Sequence, residues 1–310
     1  MEKNLKIGVI GGDLRQLAVS SRLSEEGAEC AVWGVGGGNG AAAELMKKRI
    51  GFGNAVRCGD WRSAVKGSGV LILPLPLTRD GVRLNVEQTE EHTPLPNAEL
   101  RLTELINKTA ENTLILGGKI PPSFARLAAE KQIRVRDYYE SEEFQIKNAV
   151  PTAEGALAAA MEALPITLAE ARCAVVGYGR IGRTLAGRLR ALSTDVTCVA
   201  RSTKDLSWAF CDGCKTVPLG KYRNDPVVSD VIFNTVPHLI FDRELLGKID
   251  KRTLFIELAS MKGGIDIKAA EEYDIKTIKA MSLPGKCSPE SAGRIICDSV
   301  MTILREEGVL

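Results

Sequence analysis

The stretch that decides the fold is RCAVVGYGRIGRTLAGRL, residues 172–189. A short apolar run of the buried-strand type leads into three glycines in the pattern G-x-G-x-x-G, and a helical pattern follows. In such a motif the first glycine permits a tight turn, the second lets the backbone approach a pyrophosphate, and the third lets helix and strand pack closely. In this context the pattern favours dinucleotide binding over an ordinary tight turn. The predicted phosphate-facing residues are Gly177, Gly179, Arg180, Ile181 and Gly182.

The strand after this motif indicates which dinucleotide is bound. Enzymes that use NAD end this strand with Asp or Glu, which holds the 2′-hydroxyl of the ribose. Here the strand, residues 195–200, carries its acid, Asp195, at the opposite end. The residues that follow it offer a guanidinium, two hydroxyls and an ammonium to a 2′-phosphate. They are Arg201, Ser202, Thr203 and Lys204. We therefore expect NADP rather than NAD, and the alternative for Arg201 is a solvated loop residue.

Two further strands, residues 229–234 and 253–257, end in polar or turn-forming residues. In an open α/β sheet, ligands bind outside the carboxyl ends of the strands, so these ends should line the nicotinamide side of the site. We expect packing and hydrogen bonds to the ring from Asn234, Thr235, Val236, Pro237 and Ser260. The alternative is that both stretches are simple strand-to-helix turns.

An earlier stretch, VIGGDLRQLAV, imitates the motif and departs from it. Gln16 stands in place of the third glycine, and Asp13 puts a carboxylate where a pyrophosphate would lie, so like charges would repel. We therefore expect the first half of the chain to bind the substrate, with Arg15 at the start of a helix meeting a substrate carboxylate.

Other polar residues at strand and helix ends extend this predicted anion site. For each cation taken alone, the alternative is a solvated surface residue. Because several of them converge at strand ends, we favour binding of a substrate anion. Ser288, as N-cap before Pro289, opens a helix whose free amides, with Lys286 beside them, attract an anion, although a cap without a ligand is the alternative. The predicted substrate-binding residues are Arg15, Thr78, Arg79, Lys119, Lys286 and Ser288.

Apolar runs alternate with helical patterns along the whole chain, which predicts two tandem doubly wound parallel-sheet α/β units. A substrate domain, residues 1–148, precedes a linking helix and dinucleotide domain, residues 149–286. Pro151 marks the entry of the linking helix, the segment 79–99 is a polar surface excursion, and a helix within 287–310 packs back on the first domain. The predicted strands are 5–10, 29–33, 70–75, 113–117, 133–136, 172–177, 195–200, 215–217, 229–234, 253–257 and 275–280.

Composition excludes several classes of function. The chain has 310 residues and a net charge of +2, without the basic excess that nucleic-acid binding requires. No apolar run is long enough for a membrane helix, and the first residues lead directly into a strand without an apolar leader, so we expect a cytoplasmic protein. The eight cysteines are scattered, which favours buried thiols over disulfides. Cys211 and Cys214 form one C-x-x-C, but with only two histidines in the chain we expect no metal site.

Taken together, VIGGDLRQ, GYGRIGRTLA followed by VAR, and SLPGKCSPESAG resemble the dipicolinate synthase A-subunit family of spore-forming bacteria. The resemblance covers the whole chain and implies a flavodoxin-like domain joined to a Rossmann domain, as in formate/glycerate dehydrogenases. It also implies NADP-dependent oxidation of dihydrodipicolinate to dipicolinate, a dicarboxylate made for the spore. The implied partner is a separate, flavoprotein-like B subunit. We also expect a homo-oligomer.

Aromatisation of the ring drives such a reaction forward, so little acid–base power is required. Glu154 and His238 are the predicted proton-transfer residues. Two alternatives stay open. One is a non-catalytic NADP-binding scaffold or regulatory partner for the B subunit. The other is a 2-hydroxy-acid or amino-acid dehydrogenase, against which stands the absence of the Arg and Glu that 2-hydroxy-acid dehydrogenases carry in their second domain.

Overall fold

The computed structural model describes residues 5–36, 41–87, 99–259 and 263–310. The chain forms two compact units: one runs to Asn148 and also includes Pro284–Leu310, and the other is Ala149–Leu283. Each unit contains one six-stranded sheet, and every described strand pairing in both is parallel. The predicted fold class, two tandem doubly wound α/β units, is confirmed. Among the residues described, no helix has both the length and the apolar character needed to cross a lipid bilayer.

The first unit has the strand order β3-β2-β1-β4-β5-β6. Its strands are β1 (Lys6–Ile10), β2 (Glu29–Trp33), β3 (Val56–Arg57), β4 (Val70–Ile72), β5 (Leu114–Gly117) and β6 (Arg134–Asp137). Its helices are α1 (Leu14–Glu25), α2 (Ala41–Arg49), α3 (Trp61–Val65), α4 (Leu102–Lys108), α5 (Pro122–Ala129) and the 3₁₀ helix Tyr138–Glu140. Without the two-residue edge strand β3, the order is that of flavodoxin-like sheets.

The second unit has the strand order β12-β11-β10-β7-β8-β9, which is the Rossmann order when read from its other edge. Its strands are β7 (Arg172–Val176), β8 (Asp195–Ala200), β9 (Lys215–Pro218), β10 (Val231–Asn234), β11 (Leu254–Glu257) and β12 (Thr277–Lys279). Its helices are α7 (Arg180–Ala191), α8 (Thr203–Cys211), α9 (Leu219–Asn224), α10 (Arg243–Leu246) and α11 (Ile267–Glu272). The chain passes between the units through α6 (Glu142–Ala163) and α12 (Leu283–Cys287), and ends in α13 (Pro289–Glu306).

Helices cover both faces of each sheet, as buried parallel strands require. Successive strand residues point to opposite faces. In β1, for example, Ile7 and Val9 pack with α1 and α13, whereas Ile10 packs with α3, α4 and α5. The sheet of the second unit is likewise covered by α6, α7 and α8 on one side and by α9, α10 and α11 on the other.

The C-terminal helix α13 begins at Pro289 with Ser288 as its N-cap, as predicted, and it packs on α1. Gly293 makes this close packing possible. A Cβ at Gly293 would lie 2.5 Å from the Arg15 carbonyl oxygen and 2.6 Å from the Cβ of Ala18. Any side chain at this position would push the two helices apart.

One strand was missed and one helix boundary was predicted wrongly. Strand β3 was not predicted because Val56 and Arg57 are both exposed and carry no buried-strand pattern. Helix α6 begins at Glu142 and contains Pro151 in its interior, because its first turns are fixed by burial of Phe144 against the rings of Tyr138 and Tyr139.

The predicted surface excursion over residues 79–99 agrees with the structure in part, since residues 79–83 are exposed. Leu84 is buried, and Val86 forms a parallel bridge with Gly12, so this part of the segment lies against the turn after β1. Residues 88–98 lie outside the described part of the chain.

Candidate functional site

The three motif glycines, two in the turn before α7 and one in its first helical turn, have different structural surroundings. Gly177 has φ +94°, and a Cβ there would lie 2.4 Å from the hydroxyl of Thr235. At Gly182 a Cβ would lie 2.0 Å from the carbonyl oxygen of Gly177. Gly179 differs, because an added Cβ would have no atom within 4 Å. The fold itself therefore requires glycine at 177 and 182, whereas the space beside Gly179 is the open cradle that a pyrophosphate needs.

The N-terminus of α7 supplies donors for an anion in this cradle. Gly179 is the N-cap and has no side chain to accept the first-turn amides. The N–H groups of Ile181 and Gly182 lie in that turn, where a helix offers no carbonyl partner. The positive end of the helix dipole adds to their attraction, and Arg180 is exposed beside them. The residues present therefore fit the diphosphate of a dinucleotide.

The polar residues after β8 lie where the 2′-position of the adenosine ribose is read in this fold. Ser202 is the N-cap of α8, and its hydroxyl accepts the amide of Asp205 at 3.4 Å. Arg201 and Lys204 are exposed, and neither has a hydrogen-bond or ion-pair partner within the described ranges. The acid of this strand, Asp195, lies at the opposite end and is 2.7 Å from the ammonium of Lys215. Two available cations at a helix N-terminus fit a 2′-phosphate.

A buried network that was not predicted joins the ends of β10 and β11. Asn234 and Glu257 are partners in the strand register, and Nδ2 of Asn234 donates to both carboxylate oxygens at 2.9 and 3.1 Å. The amides of Ala259 and Gly264 donate to the same carboxylate at 2.8 Å each. Burial raises the pKa of Glu257, and these donors oppose the rise. A Cβ at Gly264 would lie 2.1 Å from Nδ2 of Asn234, so glycine is required there too.

This network changes the interpretation of Asn234. Its Nδ2 is committed to Glu257, and its Oδ1 accepts the amide of Val236 at 3.2 Å. Asn234 is fully buried, so its amide holds the loops together rather than projecting toward a nicotinamide.

The remaining residues predicted to meet the nicotinamide follow β10, apart from Ser260, which follows β11. The hydroxyl of Thr235 donates to the carbonyl of Val176 at 2.9 Å, and Thr235 and Val236 both back the Gly177 turn. Pro237 is exposed. Ser260 lies outside the described residues.

Both predicted proton-transfer residues of the second unit are exposed. Glu154 of α6 accepts from the Nε and Nη2 atoms of Arg188, each at 3.2 Å. His238 lies in the loop after β10. Neither side chain has the desolvated surroundings that usually tune a catalytic acid or base, so their catalytic role stays a prediction.

The first unit repeats the strand–turn–helix geometry, but a side chain of the chain itself lies at the helix N-terminus where an anion would bind. In both units the N-cap lies three residues beyond the end of the strand, Asp13 in one and Gly179 in the other. The carboxylate of Asp13 accepts the amide of Arg15 at 3.0 Å and forms a bidentate ion pair with its guanidinium, 2.7 Å at the closest. A carboxylate of the chain thus occupies the helix end where a phosphate would bind.

Arg15 is only 8% exposed, and its Nη2 also donates to the carbonyl oxygen of Leu75 at 2.5 Å. Burial lowers the pKa of Arg15, but the charge of Asp13 and its hydrogen bonds, with smaller contributions from Tyr138 and Glu87, together raise it above the ordinary value. Arg15 therefore fastens the loop after β4 to the start of α1. Its predicted contact with a substrate carboxylate stays a prediction.

Two of the motifs that carry the family resemblance meet at this ion pair. A Cβ at Gly285, in the segment LPGKC, would lie 2.7 Å from Oδ2 of Asp13 and 3.2 Å from Nε of Arg15. Glycine at this position therefore lets α12 approach the pair closely. Lys286 is the next residue, so this approach brings its charge to the turn after β1.

A half-buried carboxylate, Glu87, lies among the charges of this region. Burial raises the pKa of Glu87 and the charge of Asp13 adds to the rise, while Arg79, Arg15 and Lys286 oppose it. Arg79 and Lys286 are exposed, and in the described parts of the chain neither has an ion-pair partner. Glu87 was missed because it stands in a polar segment without a motif. We use the name charged cluster for five residues: Asp13, Arg15, Arg79, Glu87 and Lys286.

The other predicted substrate-binding residues have contacts of their own. The hydroxyl of Thr78 donates to Asp80 at 3.1 Å within a turn. The ammonium of Lys119 lies 4.7 Å from the centre of the Tyr139 ring. Ser288 caps α13 without a hydrogen bond from its side chain. Ligand contacts for these three residues stay predictions.

Comparison with known proteins agrees with this architecture. Residues 6–139 match the family described as the N-terminal domain of the dipicolinate synthase A subunit. The A subunit of dipicolinate synthase of Bacillus subtilis (strain 168) is 29% identical over 307 residues, covering 99% of this chain and 98% of that protein.

Two solved structures extend the similarity. The dipicolinate synthase A chain from Bacillus subtilis superposes with a TM-score of 0.79 at 29% identity, covering 97% of this chain and 96% of the other. The corresponding A subunit from Bacillus halodurans gives a TM-score of 0.80 at 26% identity and covers 97% of both chains. In its sequence and its two-unit fold the chain is thus similar over nearly its full length to dipicolinate synthase A subunits, and its residues 6–139 match the family model of their N-terminal domain.

Proposed function

We propose that this chain is an NADP-dependent oxidoreductase that converts dihydrodipicolinate into dipicolinate, pyridine-2,6-dicarboxylate. The observation that carries the proposal is the open cradle at Gly179, where the fold itself gives no reason for glycine. The relatives are named for dipicolinate synthesis. A dihydropyridine ring becomes aromatic only by losing two electrons and two protons, which calls for an oxidant.

The second unit is the proposed cofactor-binding unit. When bound, NADP supplies an acceptor for the hydride that leaves the ring. The first-turn amides of α7 would hold its pyrophosphate, and Arg201 with Lys204 would hold its 2′-phosphate. Thr235 and Val236 support the glycine turn, and the pair of Asn234 and Glu257 fixes the loops that follow β10 and β11.

The first unit is the proposed substrate-binding unit. Its own α1 N-terminus is filled by Asp13, so a dicarboxylate must be held by other cations. Arg79 and Lys286 are the exposed cations of the charged cluster. Two positive charges complement a dianion, and charge-assisted hydrogen bonds of this kind each contribute about 1.5–3 kcal/mol.

The relatives are named as the A subunit of a synthase, and this name supports a partner subunit as the second part of the proposal. We propose that the chain forms a homo-oligomer and works in the cytoplasm with a flavoprotein-like B subunit. The competing function is that of a non-catalytic scaffold or regulatory chain, which binds NADP and acts on the B subunit.

One assay separates these possibilities. The purified chain is mixed with dihydrodipicolinate and NADP, with and without the B subunit. The absorbance of the reduced nicotinamide is followed while dipicolinate is quantified by chromatography. We expect reduced cofactor and dipicolinate in equal amounts from the chain alone, and faster with NADP than with NAD. Turnover that requires the B subunit, with NADP binding intact, favours the supporting role. Absence of NADP binding refutes the proposal.

A further inference from the structure

Two acidic residues, Asp13 and Glu87, follow a backbone bridge beyond the carboxyl end of β1 in the first unit. Gly12 and Val86 form a parallel bridge, the amide of Gly12 donates to Asn85 at 2.8 Å, and the amide of Glu87 donates to the carbonyl of Gly12 at 3.3 Å. The residues that follow the bridged pair are Asp13 and Glu87. Segments 74 residues apart in sequence thus place two acids in adjacent register.

The surroundings of these two acids differ. Asp13 is bound by Arg15 in a bidentate ion pair, which compensates its charge. The carboxylate of Glu87 has no hydrogen bond or ion pair with any residue that the structure describes, and it is half-buried. The charged groups that face Glu87 from the packed elements are Asp13, Arg15, Arg79 and Lys286. Paired acids whose surroundings differ in this way commonly take different roles in proton transfer.

We propose that Glu87 is the catalytic base that accepts the proton lost when the dihydropyridine ring is oxidised. This inference rests on the proposed function. One sp³ ring carbon releases a hydride to the oxidised nicotinamide, and the neighbouring sp³ ring carbon releases a proton to the carboxylate of Glu87. The electron pair of that second C–H bond becomes the new π bond of the ring. The products are dipicolinate, reduced cofactor and a protonated Glu87, which returns its proton to water.

The charged cluster suits this role. Arg79 and Lys286 provide positive charge for the two substrate carboxylates, and they lie close enough to Glu87 to affect its titration. Burial and Asp13 raise the pKa of Glu87, which makes its carboxylate a stronger base at neutral pH. Asp13 cannot take the same role while Arg15 holds both of its oxygens.

The first test is the pH dependence of kcat/KM for dihydrodipicolinate, measured on the full chain with its B subunit present. Because only the ionised form of Glu87 accepts a proton, the rate should fall as the pH drops through its raised pKa. Glu87→Gln should lower kcat/KM by about 10²- to 10⁴-fold and remove this acidic limb. Glu87→Asp should keep the limb at a reduced rate. Glu104→Gln, which removes an exposed carboxylate of α4 in the same unit, should behave as the wild type.

The second test needs no turnover. Titration calorimetry with dipicolinate in two buffers of different ionisation enthalpy measures the protons taken up on binding. A bound dianion disfavours the charged form of a neighbouring carboxylate, so the wild type and Glu104→Gln should take up protons and Glu87→Gln should not.

The outcomes separate this inference from the proposed function. Equal proton uptake by Glu87→Gln and the wild type overturns the assignment of Glu87, as does an unchanged rate and acidic limb. Glu87-dependent uptake in a protein that reduces no NADP refutes the redox reaction and leaves Glu87 as a proton acceptor beside a bound dicarboxylate. A wild type that binds no dipicolinate overturns both.

Discussion

The open cradle predicts that Gly179→Ala and Gly182→Ala impair the protein for different reasons. At Gly179 the backbone has φ −78°, and a methyl group would enter space with no atom within 4 Å. The free energy of unfolding should therefore fall by about 1 kcal/mol or less, the loss expected for alanine at an N-cap. At Gly182 the methyl group would lie 2.0 Å from the Gly177 carbonyl oxygen, and such overpacking costs about 1–3 kcal/mol.

Gly179→Ala should change the free energy of unfolding little but should weaken cofactor binding strongly. A methyl group there would hold the pyrophosphate away from the first-turn amides, and a lost hydrogen bond to a charged group weakens binding by about 1.5–3 kcal/mol. Gly179→Ala should therefore bind NADP about 10- to 150-fold more weakly than the wild type. Gly187→Ala is the matched control, because it lies in the same helix with no atom within 4 Å of an added Cβ.

The measurements are thermal unfolding for stability and titration calorimetry for NADP affinity. The control should keep the affinity and gain up to about 1 kcal/mol of stability from helix propensity. Wild-type NADP affinity in Gly179→Ala would refute the cradle. A loss of stability as large as that of Gly182→Ala would show that glycine at 179 serves the fold.

Three further predictions concern charged residues. Arg201→Ala should weaken NADP binding about tenfold and leave NAD binding unchanged, whereas Lys215→Ala, at the start of β9 beside Asp195, should affect neither; equal losses for both cofactors would contradict the 2′-phosphate assignment. Lys286→Ala should raise the KM for dihydrodipicolinate and leave the dissociation constant of NADP unchanged. A change in NADP affinity alone would contradict a substrate-binding role for Lys286. Asp13→Asn should lower the free energy of unfolding in urea by about 3 kcal/mol, since breaking a buried ion pair leaves Arg15 uncompensated, and an unchanged midpoint would show that the pair contributes little.

The sheets were predictable because parallel strands buried on both faces appear in sequence as short apolar runs. The roles of Gly177 and Gly182 were predictable for a related reason, since the positive φ of Gly177 and the contact of Gly182 with the Gly177 carbonyl both arise within one strand–turn–helix motif. The contacts of Gly177 with Thr235 and Val236 lie outside that motif and were not predicted. Features without a local apolar pattern in the sequence were not predictable in this way. Strand β3 has two exposed residues, and helix α6 starts early because Phe144 is buried by residues outside its own pattern.

The site was predictable only where one motif contains it. The pairing of Asn234 with Glu257 depends on the register of two strands, and the sequence shows each residue only as the end of its own strand. The proximity of Glu87 to Asp13 depends on a bridge between segments 74 residues apart. The ion pair of Arg15 with Asp13 is local, yet the same two residues in an open turn would leave the cation available to a ligand.

The residue at the N-cap distinguishes the first helix ends of the two units. Both sheets have the same strand order, and in both the first helix begins four residues after the first strand ends. With Gly179 at the N-cap, the positive helix end is open to a diphosphate. With Asp13 there, the chain supplies the anion itself, and Arg15 compensates the charge. Any dicarboxylate bound by the first unit must therefore be held by cations outside the turn, which is why Arg79 and Lys286 carry the substrate proposal.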